Sequence, residues 1–400
     1  DKVLTWTQFS ATGVGVETET AEYGNNELAA VTLTGGTTGA PKGVMLSNDG
    51  FNAIAFDFRH CGVSYKRGQR FLNIIPMFSS YGIVSSLHMP LSLGLEVVII
   101  PKFDQDKVGY YVKKYRPEHT LLVPAHYEKL MNSKEMAGGF DLSFFRTAGS
   151  GGDTMNAGLE AKLNSFLESR GCRYPLSQGY GMSEVSSAAS CCCNGNFKSL
   201  SVGYPLLTTT IGIFEPGTDN ELDYGEEGEI CISGPSIMLG YLNNKAETEN
   251  VIRRHADGTL WVHSGDIGHM DSDGFVYIKG RIKRMITLFN GHKIFPTHIE
   301  SVLGRHPLVS SCAVVGVNDT THAQGQLTLA VIETSETSLE KQLAIKNELY
   351  EMCRQELEGP AKPYDVIFID SMPHTGMGKI DYLKLAEDYN NENKNETEAV

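Results

Sequence analysis

Between Thr34 and Val44 the chain reads Thr34-Gly35-Gly36-Thr37-Thr38-Gly39-Ala40-Pro41-Lys42-Gly43-Val44. Glycines let backbone N–H groups come close to an anion, threonine hydroxyls donate hydrogen bonds, and a lysine adds a point charge. That combination suits a loop that grips a polyphosphate. Its order differs from the Walker pattern G-x-x-x-x-G-K-[ST], because Lys42 follows a proline and precedes a glycine. The apolar run from Leu28 to Leu33 is predicted to be a strand leading into this loop, with a helix after it.

The elements around the loop form a large, mixed architecture. A chain of 400 residues suggests two or three domains. From about Ala29 to Ala148, β-branched runs (Ala30–Leu33, Phe71–Ile75, Val97–Ile100, Thr120–Val123, Phe144–Ala148) alternate with helical stretches. Helices are expected at Val108–Tyr115 and Asn156–Ser169. This alternation implies an α/β fold with helix-covered, largely parallel sheets. Over residues 203–279 the rhythm changes to short strands and Gly/Asp turns, with strands expected at Glu229–Ser233, Leu260–Val262 and Val276–Ile278. A small antiparallel or β-barrel-like subdomain is the expectation there. After Gly280 a separate C-terminal α+β unit is predicted, with helices Thr297–Arg305 and Leu339–Glu358 and strands Cys312–Val317, Leu327–Glu333 and Asp365–Ile369. The Asn/Glu-rich tail from Glu387 has little to bury and is expected to fray.

Composition narrows the function classes. A net charge of −14 argues against a nucleic-acid partner, since phosphate backbones recruit Lys/Arg surfaces, but a nucleotide needs only a local positive pocket. No apolar run has the length of a membrane span, and the first residues carry no signal-peptide pattern. The eight cysteines show no C-x-x-C spacing, and Cys191, Cys192 and Cys193 are consecutive. Reduced thiols in a cytoplasmic protein are expected.

The phosphate loop resembles that of the acyl-adenylate-forming enzymes, which include acyl-CoA synthetases, peptide-synthetase adenylation domains and beetle luciferases. Further motifs appear in the same order from about Ala29 to Leu385. Gly149-Ser150-Gly151-Gly152-Asp153 resembles the adenine-binding turn, and Gln178-Gly179-Tyr180-Gly181-Met182-Ser183-Glu184 a more specific signature. The resemblance places Tyr180 against adenine, Ser183 at the α-phosphate and Glu184 on Mg²⁺. A carboxylate beside a triphosphate requires a divalent cation between them, because like charges repel in a poorly solvated cleft. In Trp261-Val262-His263-Ser264-Gly265-Asp266, the aspartate would accept both ribose hydroxyls, a role its two acceptor oxygens suit. Arg281 would approach ribose or phosphate, and Lys283 holds the hinge position. Gly291 lies in the loop that lines the thioester-forming tunnel in that family. Lys379, in Pro373-His374-Thr375-Gly376-Met377-Gly378-Lys379-Ile380, would bridge the acyl carboxylate and the phosphate.

The resemblance therefore implies a large AMP-binding domain over residues 1–282 and a mobile lid over residues 283–400 that pivots at Lys283. Nucleotide contacts are expected from Thr34, Gly36, Thr37, Thr38, Gly39, Lys42, Gly151, Gly152, Asp153, Gly179, Tyr180, Gly181, Asp266 and Arg281. Lys379, Ser183 and Glu184 are the expected catalytic residues. An acyl pocket is expected from Phe78, Ser79, Tyr81 and Ser150. The implied reaction joins a small-molecule carboxylic acid to a thiol at the expense of ATP, with Mg²⁺ and coenzyme A as cofactors. A carrier-protein thiol is the alternative acceptor, and a non-catalytic nucleotide- or acyl-binding homologue the alternative from another class.

The sequence departs from the family pattern in three places. Only about thirty residues precede the phosphate loop, where the family carries well over a hundred, so the expectation is a fragment, favoured over a naturally shortened member because a sheet lacking neighbours would expose its edges. Ser79 stands where acyl-CoA synthetases commonly have histidine and amino-acid-activating domains aspartate. A buried α-ammonium group needs a carboxylate partner that Ser79 cannot supply, which disfavours an amino-acid substrate. Gly35 replaces the usual serine of the phosphate loop and removes one donor.

Overall fold

The computed structural model describes residues 5–16, 22–34, 41–193, 195–319, 322, 324–357, 359–374 and 380–398. Its largest sheet contains seven described strands. Glu96–Ile99, Arg70–Asn73, His119–Leu122, Thr147–Ser150 and Ser177–Tyr180 run parallel, and Ser190–Cys191 and Tyr204–Pro205 continue the sheet antiparallel. Parallel neighbours need long crossovers. The helices Val108–Tyr115, Pro124–Met131 and Ala157–Ser169 supply them. Val108 and Val112, Tyr127 and Leu130, and Leu163 and Leu167 lie three or four residues apart on one face of each helix. They are buried in one cluster with Leu72 and Leu122 from the strands and Leu176 just before Ser177–Tyr180. Each such aliphatic side chain stabilises the domain by about 1.5–3 kcal/mol.

At their C-terminal ends the strands Thr147–Ser150 and Ser177–Tyr180 run into the turns Gly151–Asp153 and Gly181–Glu184. That edge of an open α/β sheet is where ligands gather.

The phosphate loop has a different setting from the expected strand–loop–helix. Leu28–Leu33 pairs antiparallel with Gly43–Ser47, so the loop connects two strands of a hairpin. Val44 and Leu46 are fully buried while Gly43 and Met45 are half-buried, the period-two pattern of a strand. The helix Asn48–His60 starts only after Ser47, whose Oγ accepts the amide of Gly50 (3.0 Å). Gly240–Tyr241 pairs with the same strand, Tyr241 opposite Val44.

The region 203–279 holds five antiparallel strands: Thr210–Phe214, Gly228–Ser233, Ile252–Arg254, Leu260–Met270 and Val276–Arg281. Leu260–Met270 is far longer than the expected Leu260–Val262. It is irregular beyond His263: along one edge its first half pairs with Ile252–Arg254 and its second with Val276–Arg281, while Gly228–Ser233 pairs with both halves along the other. That bend supplies the curvature expected of a barrel-like unit.

The C-terminal unit packs the helices Pro296–Leu303 and Leu339–Glu356 on a three-stranded sheet. In it Ser311–Asn318 and Gln326–Glu333 are antiparallel, and Asp365–Ile369 is parallel to the latter. Ile299, Val302 and Leu303 meet Ile345, Leu349 and Cys353 in its core. The polar tail departs from expectation. It belongs to a helix, Tyr382–Glu398, anchored by buried Leu385 and by Asn390 Oδ1, which accepts the amide of Asn318 (2.9 Å). No described helix is long and apolar enough to cross a membrane. All eight cysteines are free thiols.

Candidate active site

Gly35, Gly36, Thr37, Thr38, Gly39 and Lys379 lie outside the described residues. Both ends of the phosphate loop are described, and they are fastened together. The amide of Thr34 donates to Lys42 O (2.9 Å), and the amide of Lys42 donates to Thr34 Oγ1 (3.4 Å). Lys42 Nζ lies 3.1 Å from Glu247 Oε2 and 4.2 Å from the centre of the Tyr241 ring. The Lys42 ammonium holds the Glu247 carboxyl below its ordinary range, and Lys283 adds to that field. On the other side Tyr241 OH donates to Glu184 Oε1 (2.6 Å). Burial, reinforced by the Glu184 charge, pushes the Tyr241 hydroxyl well up, so it stays a donor. One aromatic ring thus joins the phosphate-loop lysine to the candidate metal ligand.

Glu184 sits in a short 3₁₀ turn, Ser183–Val185, and is 7% exposed. Its carboxylate offers hard oxygens, the donor type Mg²⁺ takes. The Tyr241 hydroxyl takes one acceptor site of this carboxylate and leaves others for a cation. Ser183 Oγ accepts from Ser80 Oγ (3.1 Å). Gly181 has a steric reason to be glycine, since a Cβ there would fall 1.8 Å from Ser187 O.

A second cluster lies beside the first. Tyr180 OH donates to Asp266 Oδ2 (2.7 Å), and Arg281 Nε lies 2.9 Å from Asp266 Oδ1. Asp266 and Arg281 face each other across antiparallel strands. Burial and the Asp266 charge push the Tyr180 hydroxyl well above its ordinary value. Asp266, Tyr180 and Glu184 all bear electrostatically on Arg281, which places the two clusters in one field.

At the expected acyl pocket, Tyr81 opens a π-helix, Tyr81–His88, and its buried hydroxyl donates to Leu122 O (3.0 Å). A Cβ on Gly152, whose φ is +80°, would lie 3.6 Å from the Tyr81 ring, so this turn passes directly over the tyrosine. Gly151 follows buried Ser150, and its amide donates to Leu122 O (3.0 Å). Ser79 is occupied locally: its Oγ donates to Pro76 O (2.7 Å) and accepts the amide of Gly82 (3.1 Å). Phe78 is exposed.

A family profile described as AMP-binding enzyme matches residues 2–242, and a second, AMP-binding enzyme C-terminal domain, matches residues 298–379. The chain belongs to the AMP-binding enzyme family. Among curated relatives it is 33% identical over 319 residues to a probable 4-coumarate–CoA ligase 1 of Dictyostelium discoideum, covering 79% of this chain and 56% of that protein. It is 30% identical over 369 residues to a long-chain-fatty-acid–CoA ligase of Bacillus subtilis, covering 91% of this chain and 62% of that protein. The chain thus spans little more than half the length of these relatives. Among solved structures, ATP-bound MatB from Rhodopseudomonas palustris superposes with a TM-score of 0.82 at 25% identity, covering 96% of this chain and 73% of that one.

Within the AMP-binding fold, the structure brings together Thr34, Lys42, Ser183 and Glu184 on one side and Tyr180, Asp266 and Arg281 on the other. It does not join every expected residue to them. Asp153 is exposed and accepts the amide of Thr154 (2.8 Å), a contact within its own turn. Gly291 closes an exposed turn, donating its amide to Leu288 O (2.9 Å) with φ +82°. Lys283 is exposed within the turn Ile282–Arg284 and reaches the first cluster only through its charge on Glu247. Tyr241, Glu247 and Ser80 were missed from the sequence. Tyr241 and Glu184 are 57 residues apart and Lys42 and Glu247 are 205 apart, so no local spacing signals them.

Proposed function

We propose that this chain carries an ATP-dependent carboxylic acid ligase that forms an acyl-adenylate, releases pyrophosphate and passes the acyl group to a thiol, that of coenzyme A first. The observation that carries the reading is the Lys42–Tyr241–Glu184 chain beside the Tyr180–Asp266–Arg281 cluster. Such a chain would offer one nucleotide a phosphate-loop lysine, a hard-oxygen metal ligand and a diol acceptor in turn. The relatives named as 4-coumarate and long-chain-fatty-acid CoA ligases point to the same class.

In this reading Asp266 receives the ribose hydroxyls, Tyr180 lies against adenine, and the Gly151–Gly152–Asp153 and Gly179–Gly181 turns frame the base. Thr34 and Lys42 hold the phosphate loop, with Gly36, Thr37, Thr38 and Gly39 completing it. Glu184 is the residue to hold Mg²⁺, which supplies positive charge against the phosphates. Ser183 and Lys379 face the α-phosphoryl oxygens, where charge develops as the acid attacks. Preorganised donors of this kind each contribute about 10²–10³ in rate. The acid lies against Phe78, Ser79, Tyr81 and Ser150.

The large domain ends at residue 282, and the lid of residues 283–400 pivots at Lys283, presenting Lys379 for adenylation and the Gly291 loop for thioester formation. The anchors on either side of the pivot support this. Arg281 is paired with Asp266 in the large domain and Arg284 with Glu300 in the C-terminal one, leaving two residues between the paired arginines. A cytoplasmic location suits the eight free thiols.

The test is ATP–pyrophosphate exchange across a panel of carboxylic acids. Fatty and aryl acids are expected to support exchange and free amino acids not to, because Ser79 is turned onto Pro76 and Gly82 and offers no carboxylate to an ammonium group. Exchange driven best by amino acids would overturn the pocket reading, and exchange with no acid would overturn the activity.

A further inference from the structure

The strand Leu260–Met270 is kept out of register with Gly228–Ser233 at one place. Cys231 pairs with His263 and Glu229 with Ile267, so one residue on the first strand stands against three on the second. The excess forms a bulge made of Ser264, Gly265 and Asp266, and Asp266 is the residue that meets Tyr180 and Arg281. Bulges re-aim side chains, and this one needs partners for the amides it removes from the ladder.

Glu229 supplies one of them and also holds the side chain at the start of the bulge. Its Oε1 accepts the amide of Gly265 (3.0 Å), and its Oε2 lies 2.9 Å from His263 Nδ1 on the residue where the bulge begins. Ser264 Oγ donates to Ile230 O (2.6 Å) and accepts the amide of Asp266 (3.0 Å). With Nδ1–H donated to Glu229, His263 Nε2 is left to accept from His255 Nε2 at 3.0 Å. Glu229, His263, His255 and Asp266 are all buried, 3–6% exposed. Burial alone would raise the Glu229 carboxyl, but the His263 and Gly265 N–H groups outweigh it and hold it below its ordinary range. A buried carboxylate committed with both oxygens to one bulge fixes that bulge.

We infer that Glu229 is a positioning residue for nucleotide recognition: through Gly265 and His263 it sets where the Asp266 carboxylate stands, and so how strongly the site distinguishes a ribose from a deoxyribose. The inference rests on the reading of Asp266 as the ribose acceptor. Glu229 itself touches no substrate.

The experiment compares the dissociation constants of ATP and 2′-deoxy-ATP by calorimetry, which needs no turnover. A hydrogen bond from a ribose hydroxyl to a carboxylate makes wild type favour ATP by roughly 10- to 150-fold. Glu229→Ala, with nothing to hold the bulge, is expected to bring that ratio below about 3-fold by weakening ATP far more than 2′-deoxy-ATP. Glu229→Gln keeps the shape and can reverse the donor order through the two histidines, so it should retain most of the ratio. Glu229→Asp keeps the charge but cannot reach both partners. It should lose the ratio, and it serves if the alanine variant does not fold. A purely structural role would lower both affinities together. A wild-type ratio preserved in Glu229→Asp and Glu229→Ala overturns the positioning role alone. A wild-type chain that binds both nucleotides equally overturns the ribose assignment of Asp266 and the inference with it.

Discussion

Removing the Arg284 side chain isolates a buried charge. Arg284 Nη2 lies 2.5 Å from Glu300 Oε1, the two side chains are 14% and 15% exposed, and the guanidinium stacks 3.5 Å from the centre of the Tyr382 ring. The same Glu300 oxygen accepts the amide of Val314 (2.8 Å), so the carboxylate ties the helix Pro296–Leu303 to the strand Ser311–Asn318. Breaking such a pair by truncating one partner costs about 3–5 kcal/mol, because the other charge stays behind uncompensated. The residual exposure argues for the lower end, about 3 kcal/mol or some 150-fold in the opening equilibrium of the C-terminal domain. Hydrogen exchange of Ser311–Asn318 in Arg284→Ala should accelerate by that factor, while the sheet Arg70–Asn73/His119–Leu122 stays protected.

The defect should also depend on pH. Burial already holds the Glu300 carboxyl above its ordinary value against the opposing pull of Arg284, and removing the arginine raises it further. A raised folded-state pKa contributes stability that is complete below the unfolded value, about 4.3 for Glu, and is lost as pH rises through the folded value. The deficit of Arg284→Ala should therefore shrink toward that acid limit and grow toward neutrality. The double variant Arg284→Met/Glu300→Gln, which removes both charges, should regain most of the protection. Unchanged exchange in Ser311–Asn318, or a deficit equally large in acid and at neutral pH, would refute the account.

Tyr241→Phe removes the hydroxyl on Glu184 Oε1, and partners that orient a metal ligand are worth about 10- to 100-fold in metal affinity. The Mg²⁺ concentration for half-maximal pyrophosphate exchange should rise at least about tenfold, and an unchanged requirement would count against Glu184 as the ligand. Asp57 is 1% exposed, and burial raises its carboxyl despite the Thr208 amide and hydroxyl it accepts, each at 2.9 Å. Its contribution is complete below the ordinary carboxylate range and lost as pH rises through its raised value. Asp57→Asn should therefore match wild type in acid and melt at a higher temperature at neutral pH; a lower midpoint at neutral pH would contradict this.

Much of the fold was legible because it is written in local periodicity. The helix Val108–Tyr115 and the strand Asp365–Ile369 stand where their apolar spacing puts them, because each buries one face whatever its neighbours. Two expectations failed where a tertiary partner outweighed local composition. The polar tail from Glu387 reads as having little to bury, yet Leu385 just before it and half-buried Tyr389 within it pack in one cluster with Val315 and Leu329, and the helix Tyr382–Glu398 forms there. The phosphate loop reads as leading into a helix, yet Gly43–Ser47 pairs on both edges, with Leu28–Leu33 and with Gly240–Tyr241, and becomes a strand first.

The site divides along the same line. The residue types and their order along the chain, from the Thr34–Lys42 loop through Glu184 and Asp266 to Arg281 and Lys283, are properties of the sequence, because the chemistry of a phosphate, a cation and a diol selects the side chains that meet them. What holds those groups is not written locally. Tyr241 reaches Glu184 and Lys42 only because Gly240–Tyr241 joins the edge of a hairpin some two hundred residues upstream, and Glu229 reaches the Asp266 bulge only because two strands pair with three residues against one. Contacts between distant segments depend on register and packing, which no window of the sequence contains, so the residues that orient the site were decided by the tertiary structure alone.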